Sequence, residues 1–153
     1  AKMPAPENAD FDLVEVVSEA TQLHVGKQIK ISAHLPLDKV IVWADPKIMA
    51  RVLNNLILNA IQAIEDKEPE IEIRMWLDDN KVLVSCEDNG SGIPEDIQDK
   101  IFTTYFSTKS TGSGIGLAVA KKGIENAGGD IWFETEEGKG TIFYISLPVV
   151  ADV

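Results

Sequence analysis

The chain has 153 residues, of which 44% are hydrophobic and 25% charged, a size and composition typical of one globular domain. Its formal net charge of -11 argues against nucleic acid or anionic lipid as a partner. No apolar run approaches the roughly 20 residues of a membrane-spanning helix, and no signal-peptide pattern occurs. We therefore expect a single cytoplasmic domain without direct membrane contact; membrane anchoring of the full-length protein stays open.

The first half of the chain predicts two helices and two short strands. Residues 1–10 are polar and rich in proline and alanine, so they are interpreted as a linker, with the domain covering 11–150. "LVEVVSEATQLH" has helical spacing, whereas "QIKISAHLP" and "KVIVWA" are typical of strands. Asp45 as N-cap and Pro46 then begin a long helix. This helix carries Asn55 and Asn59 one turn apart, where a purely structural helix would favour leucine or alanine.

The second half predicts two hairpins that flank a long loop and a helix. "EIEIRMWL" and "KVLVSCED" alternate strictly and turn at "LDDNK". Six of their side chains are predicted to face inward: Ile71, Ile73, Met75, Val82, Val84 and Cys86. Cys86, the single cysteine, is expected to be a buried free thiol. A loop of about 20 to 25 residues follows, and loops of that length usually have a function. The helix "IGLAVAKKGIENAGG" and a hairpin turning at "EEGKG" complete the chain.

Glycines stand directly before the last predicted helix, in "STGSGIGLAVAKK". Backbone N–H groups and the positive end of a helix dipole form an anion site at such a place. A Walker loop is absent, and a dinucleotide fingerprint fails because Leu117 occupies the position of its last glycine. From this segment alone, phosphate binding and a flexible hinge are both open.

The segment "DNGSGIP" places Asp88 at the end of a predicted buried strand, followed by Gly90 and Gly92. A plain Asp-Gly turn would explain these residues. A carboxylate at this position is also able to accept a hydrogen bond from an exocyclic amine such as that of adenine, with Ile93 covering the ring.

The order of four motifs resembles that of the catalytic ATP-binding domain of two-component sensor histidine kinases, in the superfamily that includes gyrase, Hsp90 and MutL. "NLILNAIQA" resembles the N box, "DNGSGIP" the first glycine box, "IFTTYFSTK" the F box and "TGSGIGLAVAKK" the second glycine box. The wording of "NAIQA" and "TTYFSTK" is most similar to the nitrogen-regulatory type. The resemblance implies an α+β fold, a two-layer sandwich in which three helices cover one face of a mixed, mainly antiparallel sheet.

The resemblance assigns roles on the long helix. Asn59 matches the residue that binds Mg²⁺, the ion that bridges the phosphates of ATP. Gln62 stands where related kinases often have lysine, and Ala63 completes this part of the site. Asn55 replaces the glutamate with which gyrase-like and Hsp90-like enzymes activate water. Because an amide cannot accept that proton, we expect slow hydrolysis and transfer of the phosphoryl group to a protein side chain.

The resemblance also assigns the base and phosphate contacts. Asp88 would bind the adenine amine and Thr141 would support it through water, while Gly90, Gly92 and Ile93 shape and cover the pocket. Gly112, Gly114 and Gly116 would bind the phosphates through backbone donors, with Ser113 as an extra contact. The cofactor-binding segment is expected to include Thr111, Ile115 and Leu117 as well. Lys109 is the candidate cation for the terminal phosphate, with a solvated loop lysine as the alternative. Phe102 and Phe106 are interpreted as anchors of the loop that pack against the core or a partner helix.

A phosphoacceptor histidine is missing from the sequence. His24 and His34 lie in contexts that do not resemble the acceptor box, so both are interpreted as ordinary residues. The acceptor is expected on a separate dimerisation domain, of which residues 1–10 would be a linker remnant, with a response regulator as an indirect partner. The isolated domain is expected to be a monomer that does not label itself. Two alternatives stay open: an ATP-hydrolysing conformational switch, and a degenerate nucleotide- or partner-binding module.

Overall fold

The computed structural model describes residues 5–26, 28–103 and 116–150. These ranges contain three α-helices, seven β-strands and one short 3-10 turn at Glu95–Ile97. In chain order the helices and strands are β1 (Ala9–Asp12), α1 (Leu13–Gln22), β2 (Lys30–His34), β3 (Ile41–Ala44), α2 (Pro46–Gln62), β4 (Glu70–Asp78), β5 (Lys81–Asp88), α3 (Gly116–Asn126), β6 (Asp130–Glu136) and β7 (Gly140–Pro148). None of the helices in these ranges combines the length and the hydropathy needed to cross a bilayer.

Five strands form one mixed sheet in the order β2-β4-β5-β7-β6. β2 runs parallel to β4, and the other three pairings are antiparallel. Two of these pairings are the predicted hairpins, β4 with β5 and β6 with β7. The predicted α+β sandwich with three helices on a mixed, mainly antiparallel sheet is confirmed.

The remaining two strands depart from the prediction of a single sheet. β1 pairs with β3 in a separate two-stranded antiparallel sheet, with Phe11 opposite Val42. A bridge between Val42 and Val149 joins this small sheet to the residue that directly follows β7. β1 was not predicted, because its short sequence "ADFD" has little alternation and its extended form depends on the pairing with β3.

The core lies between the helices and the inner face of the large sheet. The six inward-facing residues predicted for the β4–β5 hairpin are all buried, which confirms its register. Cys86 is a buried free thiol, as predicted. Burial raises the pKa of this thiol to about 12, with a smaller contribution from the nearby Asp88, so the thiol is protonated at neutral pH. Helix α2 packs against both β4 and β5. This packing fixes the positions of its polar residues Asn55 and Asn59 relative to the sheet.

Aspartates cap the two N-terminal helices. Asp45 Oδ1 accepts hydrogen bonds from the N–H groups of Lys47 (2.9 Å) and Ile48 (3.3 Å), and Pro46 follows at the first helical position, as predicted. Asp12 Oδ1 accepts from Val14 N, 3.0 Å away, at the start of α1. The same oxygen accepts from Val40 N at 3.0 Å, so one carboxylate ties α1 to the segment that leads into β3.

Candidate functional site

The predicted amide face lies on the second half of α2. Asn55 and Asn59 are both half-buried one turn apart, whereas Leu56 and Ala60 beside them enter the core. The two amides therefore occupy the border between the buried stripe of the helix and its exposed side, where their side chains are partly accessible. Gln62, at the last position of α2, is exposed.

The third asparagine of this stretch, Asn54, has a different environment. Its Oδ1 lies 3.0 Å from Nε2 of His24, which follows α1 and is only 2% exposed. His24 is thus a buried structural residue that joins α1 to α2, in line with its interpretation as an ordinary residue. Its position inside the fold is unsuitable for an incoming phosphoryl group.

The end of α2 meets the segment 88–93, which we call the glycine turn. The N–H of Ser91 donates to the carbonyl oxygen of Ala63, the C-cap residue of α2, at 3.3 Å. A Cβ atom on Gly90 would lie 2.6 Å from the same oxygen, so only glycine permits this approach. The predicted residues of the N box and of the first glycine box are therefore in direct contact.

Asp88 is the buried acid of the glycine turn, with a side chain that is 6% exposed at the end of β5. Its Oδ1 accepts hydrogen bonds from the N–H of Gly90 (2.8 Å) and from the N–H of Thr141 on β7 (3.3 Å). Desolvation raises the pKa of this carboxyl above its usual range; the two N–H donors oppose the rise and Glu87 adds to it. A carboxyl group whose pKa is perturbed by burial in this way is typical of a ligand-binding site.

The β6–β7 turn supports the glycine turn from the other side. The N–H of Gly138 donates to the carbonyl oxygen of Ser91 at 2.8 Å, and the N–H of Ile93 donates to Thr135 Oγ1 at 2.9 Å. Gly92 has φ +79°, and a Cβ atom there would lie 2.5 Å from the carbonyl oxygen of Glu136. Any side chain at Gly92 would push the two turns apart.

Thr135 was not among the residues predicted for the site. It lies on β6 directly opposite Thr141 on β7, and their Oγ1 atoms are 2.8 Å apart. A signal was present in the sequence, because counting outward from the turn "EEGKG" pairs these two threonines. The register of the β6–β7 hairpin, and not a contiguous motif, therefore identifies Thr135.

Phe102 of the predicted F box packs against the sheet, as expected for a loop anchor. Its ring centroid is 6.0 Å from that of Phe133 and 6.3 Å from that of Phe143. Lys121 on α3 places its Nζ 5.2 Å from the Phe102 centroid. Phe106, the second predicted anchor, lies outside the described residues.

Most of the predicted phosphate-binding segment also falls outside the described residues: Lys109, Thr111, Gly112, Ser113, Gly114 and Ile115. The described chain resumes at Gly116, the first residue of α3, and Leu117 packs against the core. Helix α3 lies on α2, because Gly123 leaves only enough room for the side chain of Ile48. The start of α3 therefore belongs to the same helix layer as Asn55 and Asn59.

The oxygen donors of the candidate site fit a magnesium ion that is bound jointly by the protein and by a ligand. Within the described ranges no three His, Cys, Asp or Glu side chains come together as a protein-only metal site would require. Magnesium characteristically keeps several waters and takes one or two protein oxygens plus substrate phosphates. The half-buried amide of Asn59 is able to supply one such oxygen.

A protein-family model described as "Histidine kinase-, DNA gyrase B-, and HSP90-like ATPase" matches residues 44–151. The chain belongs to this family. The matched span includes α2, the glycine turn and the β6–β7 turn, which carry described residues of the candidate site. Family membership thus confirms the resemblance on which the site was predicted.

Relatives within the family are sensor kinases. The chain is 36% identical over 151 residues to the adaptive-response sensory kinase SasA of Prochlorococcus marinus (strain MIT 9313), covering 94% of this chain and 41% of that protein. It is 42% identical over 122 residues to the sensor histidine kinase ZraS of Escherichia coli (strain K12), covering 80% and 26%. The chain thus spans less than half the length of these relatives.

A solved structure agrees in fold and in extent. The catalytic domain of histidine kinase ThkA superimposes with a TM-score of 0.82 at 35% identity, covering 93% of this chain and 95% of that one. The domain is therefore of the sensor histidine kinase catalytic type, and the family as a whole supports nucleotide binding.

Proposed function

We propose that this chain binds Mg-ATP and transfers its γ-phosphoryl group to a histidine on a separate dimerisation domain in two-component signalling. The observation that carries the proposal is Asp88, a buried carboxylate held in place by two backbone N–H groups beside the amide face of α2. Structural carboxylates are seldom buried without a cationic partner. A ligand that donates hydrogen bonds explains why this one is.

The adenine amine is assigned to Asp88. Both hydrogen bonds described for this carboxylate end on Oδ1, so Oδ2 is the oxygen assigned to the amine. Gly90 and Gly92 bring the backbone of the glycine turn close to the end of α2 and the β6–β7 turn. Ile93, half-buried against the core, is the residue assigned to cover the ring.

Asn59 is assigned to hold Mg²⁺, with Gln62 and Ala63 lining the same part of the cleft. Bound there, the ion would neutralise charge on the phosphates, which a chain of net charge -11 otherwise repels. Lys109 is assigned to the terminal phosphate. Backbone N–H groups between Thr111 and Leu117 are assigned as the remaining donors, at the start of α3.

Asn55 is assigned as the residue that keeps ATP hydrolysis slow, because it supplies no general base. Its amide has no basic lone pair with which to take a proton from water. The bond between the γ-phosphorus and the bridging oxygen would therefore break on attack by an imidazole nitrogen of the acceptor domain. ADP would leave with the electron pair, and the other ring nitrogen would release its proton.

Neither histidine of this chain suits the role of acceptor. His24 is buried against Asn54. His34 pairs with Glu72 at 2.9 Å, and Glu72 lies between the inward-facing Ile71 and Ile73, on the sheet face opposite to the helices. We propose that the acceptor domain belongs to the same kinase, that a cytoplasmic response regulator takes the phosphoryl group afterwards, and that this domain is itself a monomer.

Radiolabelled ATP tests the proposal. Incubated alone with Mg²⁺, the chain is expected to stay unlabelled, and addition of the helical acceptor domain of the same kinase should place label on that domain. A stable phosphohistidine on this chain would contradict the assignment. Rapid release of inorganic phosphate would favour the conformational ATPase, and absence of both nucleotide binding and transfer would favour a degenerate module.

A further inference from the structure

On the face of the sheet that packs against the helices, the neighbouring strands β5, β7 and β6 carry a row of polar side chains next to the apolar core. In the row before it, Cys86, Phe143 and Phe133 lie side by side on β5, β7 and β6 and are apolar. At the next inward position the same three strands carry Asp88, Thr141 and Thr135. Asp88 and Thr141 are 6% and 4% exposed and Thr135 is half-buried, so these three polar groups must satisfy one another or a ligand.

The contacts of Thr135 determine where its proton goes. A hydroxyl group has one proton and two lone pairs. Thr135 Oγ1 accepts the N–H of Ile93 at 2.9 Å and lies 3.2 Å from the carbonyl oxygen of Gly140. A carbonyl oxygen only accepts, so this contact is a hydrogen bond when the proton of Thr135 points to Gly140. Either hydroxyl of the threonine pair, whose oxygens are 2.8 Å apart, is able to donate by distance; the arrangement that satisfies all three contacts of Thr135 makes Thr141 the donor.

The orientation of Thr141 follows from this assignment. Its single proton is directed at Thr135, so its oxygen offers only lone pairs to other groups. Its own N–H is bound to Asp88 Oδ1, which places the threonine beside the carboxylate. The carboxylate and this hydroxyl together form a group of acceptors with no donor among them.

We propose that Thr135 is a specificity-determining positioning residue, which holds the Thr141 hydroxyl as an acceptor so that the site prefers a 6-amino purine over a 6-oxo purine. The inference rests on the proposed function, since it assumes that the base lies at Asp88. A 6-amino group donates to these acceptors directly or through a water, whereas a 6-oxo group meets only oxygen lone pairs. A site built to bind an amine rejects the analogue that lacks it.

A purely structural role predicts a different outcome. Opposed threonines on neighbouring strands stabilise a sheet whether or not a ligand is bound. Loss of that pair would weaken binding of all nucleotides alike, because the glycine turn would lose its support at Ile93. The ratio of two affinities therefore separates the two roles.

The test compares Thr135→Val, which keeps the shape and removes the hydroxyl, with Thr135→Ser, which keeps the hydroxyl. Dissociation constants for Mg-ATP and for magnesium inosine triphosphate are measured by calorimetry. The valine variant is expected to lose on the order of tenfold in its preference for ATP, a typical effect of one buried hydrogen bond, and the serine variant to retain it. An unchanged preference in the valine variant would overturn the inference.

A double variant excludes indirect effects. If Thr135 acts through Thr141, then Thr135→Val should change the ATP preference little when Thr141→Val is already present. An equal loss in both backgrounds would contradict the inference. Should the valine variant not fold, judged by thermal unfolding without nucleotide, Thr135→Ala supplies the same comparison. Failure of the parent chain to bind ATP would instead contradict the proposed function itself.

Discussion

Replacement of Asp88 by asparagine separates the effect of the carboxylate on folding stability from its effect on ATP binding. The amide has the same shape as the carboxylate, and its oxygen is able to keep the hydrogen bonds from Gly90 and Thr141. The other position becomes an NH₂ group, which would face the adenine amine donor to donor. Asp88→Asn is therefore expected to leave the fold intact and to weaken ATP binding.

The size of the effect follows from the loss of a hydrogen bond to a charged acceptor. Such a bond contributes roughly 1.5–3 kcal/mol, and a loss of about 2 kcal/mol weakens the affinity for Mg-ATP by roughly 30-fold. With Mg-ATP at about 100 times the parent's dissociation constant, the parent gains about 2.7 kcal/mol of stability. At the same concentration the variant should gain only about 0.9 kcal/mol.

Without nucleotide the variant should be at least as stable as the parent at neutral pH. Desolvation raises the folded-state pKa of Asp88 above its ordinary value of 3.8, so the ionised carboxylate costs folding free energy. As the pH falls from the raised pKa toward 3.8, the parent binds the proton more readily when folded and recovers this cost. The advantage of the variant should shrink over that window and be absent below it.

Thermal unfolding from neutral to acid pH, with and without Mg-ATP, measures both the stabilisation by nucleotide and the pH dependence of stability. Asp88→Glu serves as the control that keeps the charge and lengthens the side chain. A loss of more than about 1 kcal/mol in the nucleotide-free asparagine variant would show that the carboxylate is structural. An unchanged response to Mg-ATP would remove Asp88 from the site.

Three further substitutions test separate parts of the account. Asn59→Ala should make ATP affinity, measured by calorimetry, nearly independent of Mg²⁺; a retained magnesium dependence would place the metal elsewhere. Asn55→Glu should raise the rate of phosphate release by supplying a base, and an unchanged rate would show that the geometry of this helix does not admit attacking water. Asp12→Ala removes the acceptor for two N–H groups. It should lower stability by about 2 kcal/mol, or roughly 4–8 °C in Tm, without changing ATP affinity; a weaker affinity would link α1 to the site.

The elements with strong local patterns were predictable from the sequence. The β4–β5 hairpin alternates strictly, and α2 starts at Asp45 and Pro46 as its capping residues indicate. β1 was not predictable in this way, because its extended conformation arises from its pairing with β3 about 30 residues later. The same pairing removes β3 from the large sheet, to which sequence reasoning had assigned it.

The residues of the candidate site were likewise predictable where they lie in local motifs and not where sheet register brings them together. Asn55, Asn59, Asp88 and the glycines lie in contiguous motifs, so the sequence identified them. Thr135 contacts Ile93 across 42 residues, and Asp88 contacts Thr141 across 53, through the strand order β5-β7-β6. Such contacts depend on sheet register, which a single sequence specifies only through turn geometry.

Calorimetric titration of the parent chain with ATP in magnesium buffer tests the central claim most directly. The account predicts saturable binding with one nucleotide per chain, and weaker binding when Mg²⁺ is removed by a chelator. A folded chain that gives no binding heat with adenine nucleotides at about millimolar concentration, and no rise in Tm, would contradict it.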